Sequence, residues 1–183
     1  MNQGPHPLDL LCHLVGQPSK VWGWTRTRAH AIEVEDTAQA MLEYPNGAPG
    51  YLTLSTAEAG VERRMQIVGD KAVLELVDDS LRILRFSPAQ SAFRAASQSM
   101  WDAPATNSEV LALPGDGGGH LAVYQDLEAA IRNGQRPRSD GQEALMGLEL
   151  ANAITLSSHL GTPVTLPIDR AAYAELLSRL RGA

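Results

Sequence analysis

Between Lys20 and Phe86 the chain alternates apolar and polar residues with a period of two, and short turn sequences break the pattern again and again. Alternation of this kind puts successive side chains on opposite faces of an extended strand. Connections so short join antiparallel neighbours, because a parallel pair needs a crossover of about a dozen residues or more. Val21 to Ala29 is a strand with Trp22, Trp24, Arg26 and Arg28 on one side, and Val21, Gly23, Thr25, Thr27 and Ala29 on the other. Thr37 to Tyr44 and Tyr51 to Thr56 flank the turn Pro45-Asn46-Gly47-Ala48-Pro49-Gly50 and pair as a hairpin. Glu62 to Val68 and Ala72 to Val77 meet at Gly69-Asp70-Lys71, and Asp78-Asp79 leads on to Leu81 to Phe86.

These strands predict one sheet with an apolar face of Ala38, Ala40, Leu42, Leu52, Leu54, Met65, Ile67, Leu74 and Leu76. The opposite face carries Thr37, Gln39, Met41, Tyr51, Thr53, Ser55, Arg64 and Gln66. It is neither strongly charged nor fully hydrophobic, which suits either a solvated surface or a flat contact between subunits. Helices bracket the sheet. Residues 6 to 15 place Leu8, Leu11, Cys12 and Val15 at helical spacing, and Gly16 and Pro18 supply the stop. Residues 119 to 133 align Val123, Tyr124, Leu127, Ala130 and Ile131. Asp140 and Glu143 resemble a capping box opening a helix to Leu160, Val164 to Leu166 is a short strand, and Asp169 caps a last helix to Arg179. Residues 87 to 115 read as irregular. The fold class is α+β, an open-faced, mainly antiparallel sheet with helices packed on one face, and at 183 residues one domain is expected.

Function classes fall away on composition. A net charge of −6 argues against nucleic acid as a partner. No apolar run approaches the roughly 18–20 residues that span a bilayer, so no membrane role is expected. The single cysteine, Cys12, excludes an intrachain disulfide and fits a reducing, cytoplasmic setting.

Among side chains that carry chemistry, Asn2 and His6 stand four apart, so they share a helix side if that turn is helical. An imidazole beside an amide can pass a proton to or from a hydroxyl. Asp9 can orient that ring or favour the helix start. His13 lies about two turns beyond His6, too far for both to hold one metal ion. His30 precedes Glu33, Glu35 and Asp36, but strand alternation sends the acids to different sides, so no metal site is expected. His120 opens a helix after the run Gly115-Asp116-Gly117-Gly118-Gly119, where backbone donors can meet a hydroxylated or anionic ligand or the side chain can simply cap. The glycine run lacks the third glycine of a dinucleotide fingerprint and follows no convincing buried strand. Trp101 can cover a sugar ring or anchor its loop.

The run Asn2-Gln3-Gly4-Pro5-His6-Pro7-Leu8-Asp9-Leu10-Leu11 with Val15-Gly16, the segment Ile32-Glu33-Val34-Glu35-Asp36-Thr37-Ala38, the turn Asn46-Gly47-Ala48 and the tail Gly161-Thr162-Pro163-Val164-Thr165-Leu166-Pro167 resemble, in order and approximate spacing, the second domain of the glucose–fructose oxidoreductase and inositol dehydrogenase family (Gfo/Idh/MocA). The resemblance implies that His6 donates or accepts the proton of a substrate hydroxyl and that Asn2 binds the same substrate. Asn at position 2, where the family often has Asp, removes one ionisable partner of the histidine. It also implies that the start of the helix with His120 and Tyr124 lies toward the substrate, and that the open sheet face joins subunits into a homo-oligomer. A preceding Rossmann domain would hold NAD or NADP and supply a lysine from a Glu-Lys-Pro motif. This chain begins after both, so no cofactor is expected to bind it. The expected activity of the longer protein is NAD(P)-dependent oxidation or reduction at a secondary alcohol or ketone of a sugar, cyclitol or related polyol, with the isolated chain inactive. The alternative is a stand-alone, non-catalytic binding or oligomerisation module.

Overall fold

The computed structural model describes residues 3–113, 115 and 117–182, which form two compact units. Residues 1–59 and 125–183 make the first, residues 60–124 the second.

The first unit holds α1 (Pro5–Val15), β1 (Lys20–Arg26), β2 (Thr37–Glu43) and β3 (Pro49–Ser55). The strands pair antiparallel, with Trp22 opposite Met41 and Met41 opposite Tyr51. The expected hairpin is therefore present, and Trp22, Met41 and Tyr51 share one face. The other face carries Val21, Ala38, Ala40 and Leu42, all buried, against Leu8 and Cys12 of α1. Leu150, Ala153, Ile154 and Leu156, from the long helix at Gly141–Leu160, complete this core.

β1 ends at Arg26, not Ala29, because Asp36 recaptures the chain. Its buried carboxylate accepts the amides of Arg28, Ala29 and His30 at 2.8–3.0 Å, and the Thr37 hydroxyl at 3.0 Å. Those donors hold the Asp36 carboxyl well below the usual carboxylate range, the amides of Ala29 and His30 contributing most. Residues 27–36 are thus a clamped loop.

In the second unit β4 (Arg64–Val68), β5 (Ala72–Val77), β6 (Ser80–Ser87) and β7 (Ala105–Ala112) form their own antiparallel sheet in that order. The expected turns at Gly69-Asp70-Lys71 and Asp78-Asp79 fall where the sequence put them. The expectation of one sheet is corrected to two. Residues 87 to 115 are not irregular either: they contain α2 (Gln90–Ala96) and β7. Neither element buries a described residue, so neither leaves a hydrophobic period to read. Asp70 anchors α2 by accepting the Ser91 amide at 2.7 Å and its hydroxyl at 2.8 Å. Trp101 anchors nothing; it is 88% exposed.

Helix α3 (Gly119–Asn133) has the expected bounds. α4 (Gly141–Leu160) is capped by Asp140, whose Oδ1 accepts the amides of Gln142 and Glu143, both at 2.9 Å. The capping box is only half closed, since the Glu143 carboxylate turns to His13 at 2.9 Å. β8 (Val164–Thr165) adds to β1, and α5 (Arg170–Leu180) starts at Asp169 as expected.

Candidate active site

The His6 helix is held by a close helix–helix approach. Gly147 of α4 lies against the backbone of Asp9; a Cβ there would sit 3.3 Å from the Asp9 Cα and amide nitrogen. Leu8 and Cys12, one turn apart, are buried toward α4 and the sheet. Burial, then the Asp9 carboxylate, pushes the Cys12 thiol up to about 11, which makes it an inert packing group. Pro5 occupies the first helical position, where its missing amide costs nothing. The outcome is a rigid first turn that carries His6 on its exposed side.

α4 is in turn fixed to β1. Past Val21 the outer edge of β1 has no strand beside it among the described residues, and two serines of α4 serve it instead. Ser157 accepts the Gly23 amide at 2.9 Å and donates to the Thr162 carbonyl at 2.7 Å. Ser158 accepts the Thr25 amide at 2.8 Å. Gly23 makes the approach possible, since a Cβ there would fall 2.2 Å from the Ile154 carbonyl oxygen. Ser157 is wholly buried, and sequence reading passed over it because its role depends on an edge it meets 134 residues away.

His6 has no hydrogen-bond partner among the described residues, Asp9 included, so its ring is free to meet a ligand. Asn2 lies outside the described residues. His120 and Tyr124 belong to the second unit, both exposed at the start of α3. His13 is paired with Glu143 and takes no part with His6. His30 and Asp36 do come together, at 3.3 Å, but as part of the loop clamp, and no metal-binding group of three such residues exists among the described residues.

The described residues form no mononucleotide-binding βαβ unit. The mononucleotide-binding unit needs parallel strands joined through a helix, with the phosphates at the crossover. Every strand pairing among the described residues is antiparallel, and the glycine run follows an edge strand. No helix among the described residues is long and apolar enough to cross a membrane.

The described residues thus form an antiparallel α+β fold with a buried helix seam and an exposed histidine in its first helical turn. Residues 1–75 match the model of the GFO/IDH/MocA C-terminal domain, and the chain resembles that domain of the Gfo/Idh/MocA oxidoreductases. The WlbA dehydrogenase from Bordetella pertussis, solved with NADH and UDP-GlcNAcA, is 29% identical with a TM-score of 0.68 over 92% of this chain and 45% of its own. The WlbA enzyme from Chromobacterium violaceum, in complex with the same two ligands, is 26% identical with the same score, over 92% of this chain and 46% of its own. At 20% identity and a TM-score of 0.66, the UDP-N-acetylglucosamine 3-dehydrogenase GnnA from Acidithiobacillus ferrooxidans shares the fold, over 86% of this chain and 46% of its own. The chain thus spans just under half the length of these relatives. No curated protein sequence matches it.

Proposed function

We propose that residues 1–183 act as a single substrate-binding and oligomerisation domain of an NAD(P)-dependent, cytoplasmic dehydrogenase that oxidises a secondary alcohol of a sugar. The ligands of the two WlbA structures favour a nucleotide sugar within the wider sugar, cyclitol and polyol class. His6 exchanges the proton of the reacting hydroxyl, Asn2 holds that oxygen as acceptor or donor, and His120 and Tyr124 contact the rest of the substrate. When bound, the nicotinamide takes or gives the hydride, and residues outside this chain hold it. The observation that carries the reading is His6, exposed and without a hydrogen-bond partner among the described residues, on a helix turn locked by the Gly147–Asp9 contact and inside the segment that matches the family model. General acid–base catalysis by such a histidine contributes about 10²–10⁴-fold.

The outer face of the first unit's sheet joins copies of the chain. Trp22, Met41 and Tyr51 are 56, 66 and 87% exposed and border a shallow hollow of about 340 Å³, with Arg26 stacked over Trp24 at 5.0 Å. Contiguous apolar surface of this kind is normally covered. Titration of the chain with NADH and NADPH, followed by nicotinamide fluorescence, tests the missing cradle: no saturable binding is expected, and no turnover. Saturable micromolar binding would overturn it.

A further inference from the structure

A strand at the edge of a sheet turns a row of backbone donors and acceptors outward, open to pairing with another strand. Among the described residues β7 has one neighbour, β6, and is the edge of its sheet. The Leu113 amide donates to the Asp79 carbonyl at 3.1 Å, continuing the register in which Ser80 faces Ala112. Bonded and non-bonded pairs alternate along an antiparallel ladder. Odd-numbered residues of β7 therefore bond to β6, and Thr106, Ser108, Val110 and Ala112 turn their amides and carbonyls outward. All eight residues of the strand are exposed, Val110 to 67%. Long free edges are normally blunted by proline, lysine or a bulge. The sequence Ala-Thr-Asn-Ser-Glu-Val-Leu-Ala has no proline or lysine, its register with β6 is unbroken, and its one charge, Glu109, is matched within the sheet by Arg85 at 2.7 Å.

We infer that β7 pairs edge to edge with β7 of a second copy of this chain about a two-fold axis, joining two four-stranded sheets into one of eight. The sequence selects the register. Outward-facing residues must meet outward-facing residues, which leaves two antiparallel alignments with near-complete overlap. Centring the axis on Glu109 sets the two Glu109 side chains directly opposite each other, a like-charge pair that disfavours pairing. Centring it on Ser108 sets Thr106 opposite Val110, Asn107 opposite Glu109 and Ala105 opposite Leu111, with no like charges facing. An isologous contact of this kind closes on itself; β7 laid on β4 of the next copy would be heterologous and would grow into a filament. This contact lies on the second unit and is separate from the sheet face proposed above, which lies on the first.

Val110→Pro tests it, because proline is accepted on an edge where the amide points outward and leaves the β6 ladder whole. Light scattering of the full chain should show the mass halved, the loss of this one two-fold contact, with the circular dichroism unchanged. Single cysteines give a reading independent of proline. Facing bonded residues lie about 5.5 Å apart at Cα, within disulfide range. Ser108→Cys should form a disulfide dimer on mild oxidation, Val110→Cys alone should not, and Thr106→Cys mixed with Val110→Cys should. Native Cys12 is buried and does not compete. A folded Val110→Pro chain of unchanged mass, a wild-type monomer at all concentrations, a filament, or cross-linking that ignores position would each overturn the pairing.

Discussion

Gly23→Ala is the perturbation whose cost can be worked most directly from the structure. The added Cβ would stand 2.2 Å from the Ile154 carbonyl oxygen and 2.8 Å from its Cα. Both obstacles are backbone, so neither can swing aside as a side chain would. Either β1 and α4 move apart or the strand bends. Overpacking of this sort costs about 1–3 kcal/mol. The same movement stretches the 2.9 Å bond from the Gly23 amide to Ser157, worth about 1 kcal/mol. The sum is about 3 kcal/mol, and for a chain of this length Tm falls by about 2–4 °C per kcal/mol, or roughly 6–12 °C in all. Thermal unfolding followed by circular dichroism measures it. A Tm within about 2 °C of the parent would refute the idea that the β1–α4 seam is tight enough to fix α1 and His6.

Two further outcomes follow from buried polar groups. The Tyr44 hydroxyl is buried with no hydrogen-bond partner among the described residues, so Tyr44→Phe should cost nothing or stabilise the chain by about 1 kcal/mol in urea denaturation. Asp36 has a depressed folded pKa, so its contribution is complete above the ordinary carboxylate value of 3.8 and is lost as pH falls below it. Acid titration should therefore loosen the 27–36 loop progressively below about pH 4, seen as falling protection against hydrogen exchange, relative to the intrinsic rates, at Arg28, Ala29 and His30. Asp36→Asn should show the same exchange at neutral pH.

Wherever burial alternated with exposure, the architecture was legible in the sequence. The hairpin at Asn46-Gly47, the turns at Gly69 and Asp78, and the helices capped by Asp140 and Asp169 all lie where period and turn chemistry put them. β7 and α2 were not legible: β7 is exposed along its whole length and α2 buries no residue fully, so neither carries a clear period. The division into two sheets was equally hidden: Leu54 and Met65 show the same alternation whether or not their strands share a ladder. Of the site, the helix bearing His6 could be read, whereas its fastening through Gly147, Gly23 and Ser157 could not, because each depends on a partner more than 130 residues away.

The central claim is that His6 moves a proton for hydride chemistry completed outside this chain. Its most direct test is the pH dependence of turnover by the complete gene product, with nucleotide sugars and polyols as substrates, for the parent and for His6→Ala. The account predicts that His6→Ala lowers kcat by about 10²–10⁴-fold with little change in KM, and removes the histidine limb of the profile. A His6→Ala enzyme with the parent's kcat and an unaltered pH profile would contradict it.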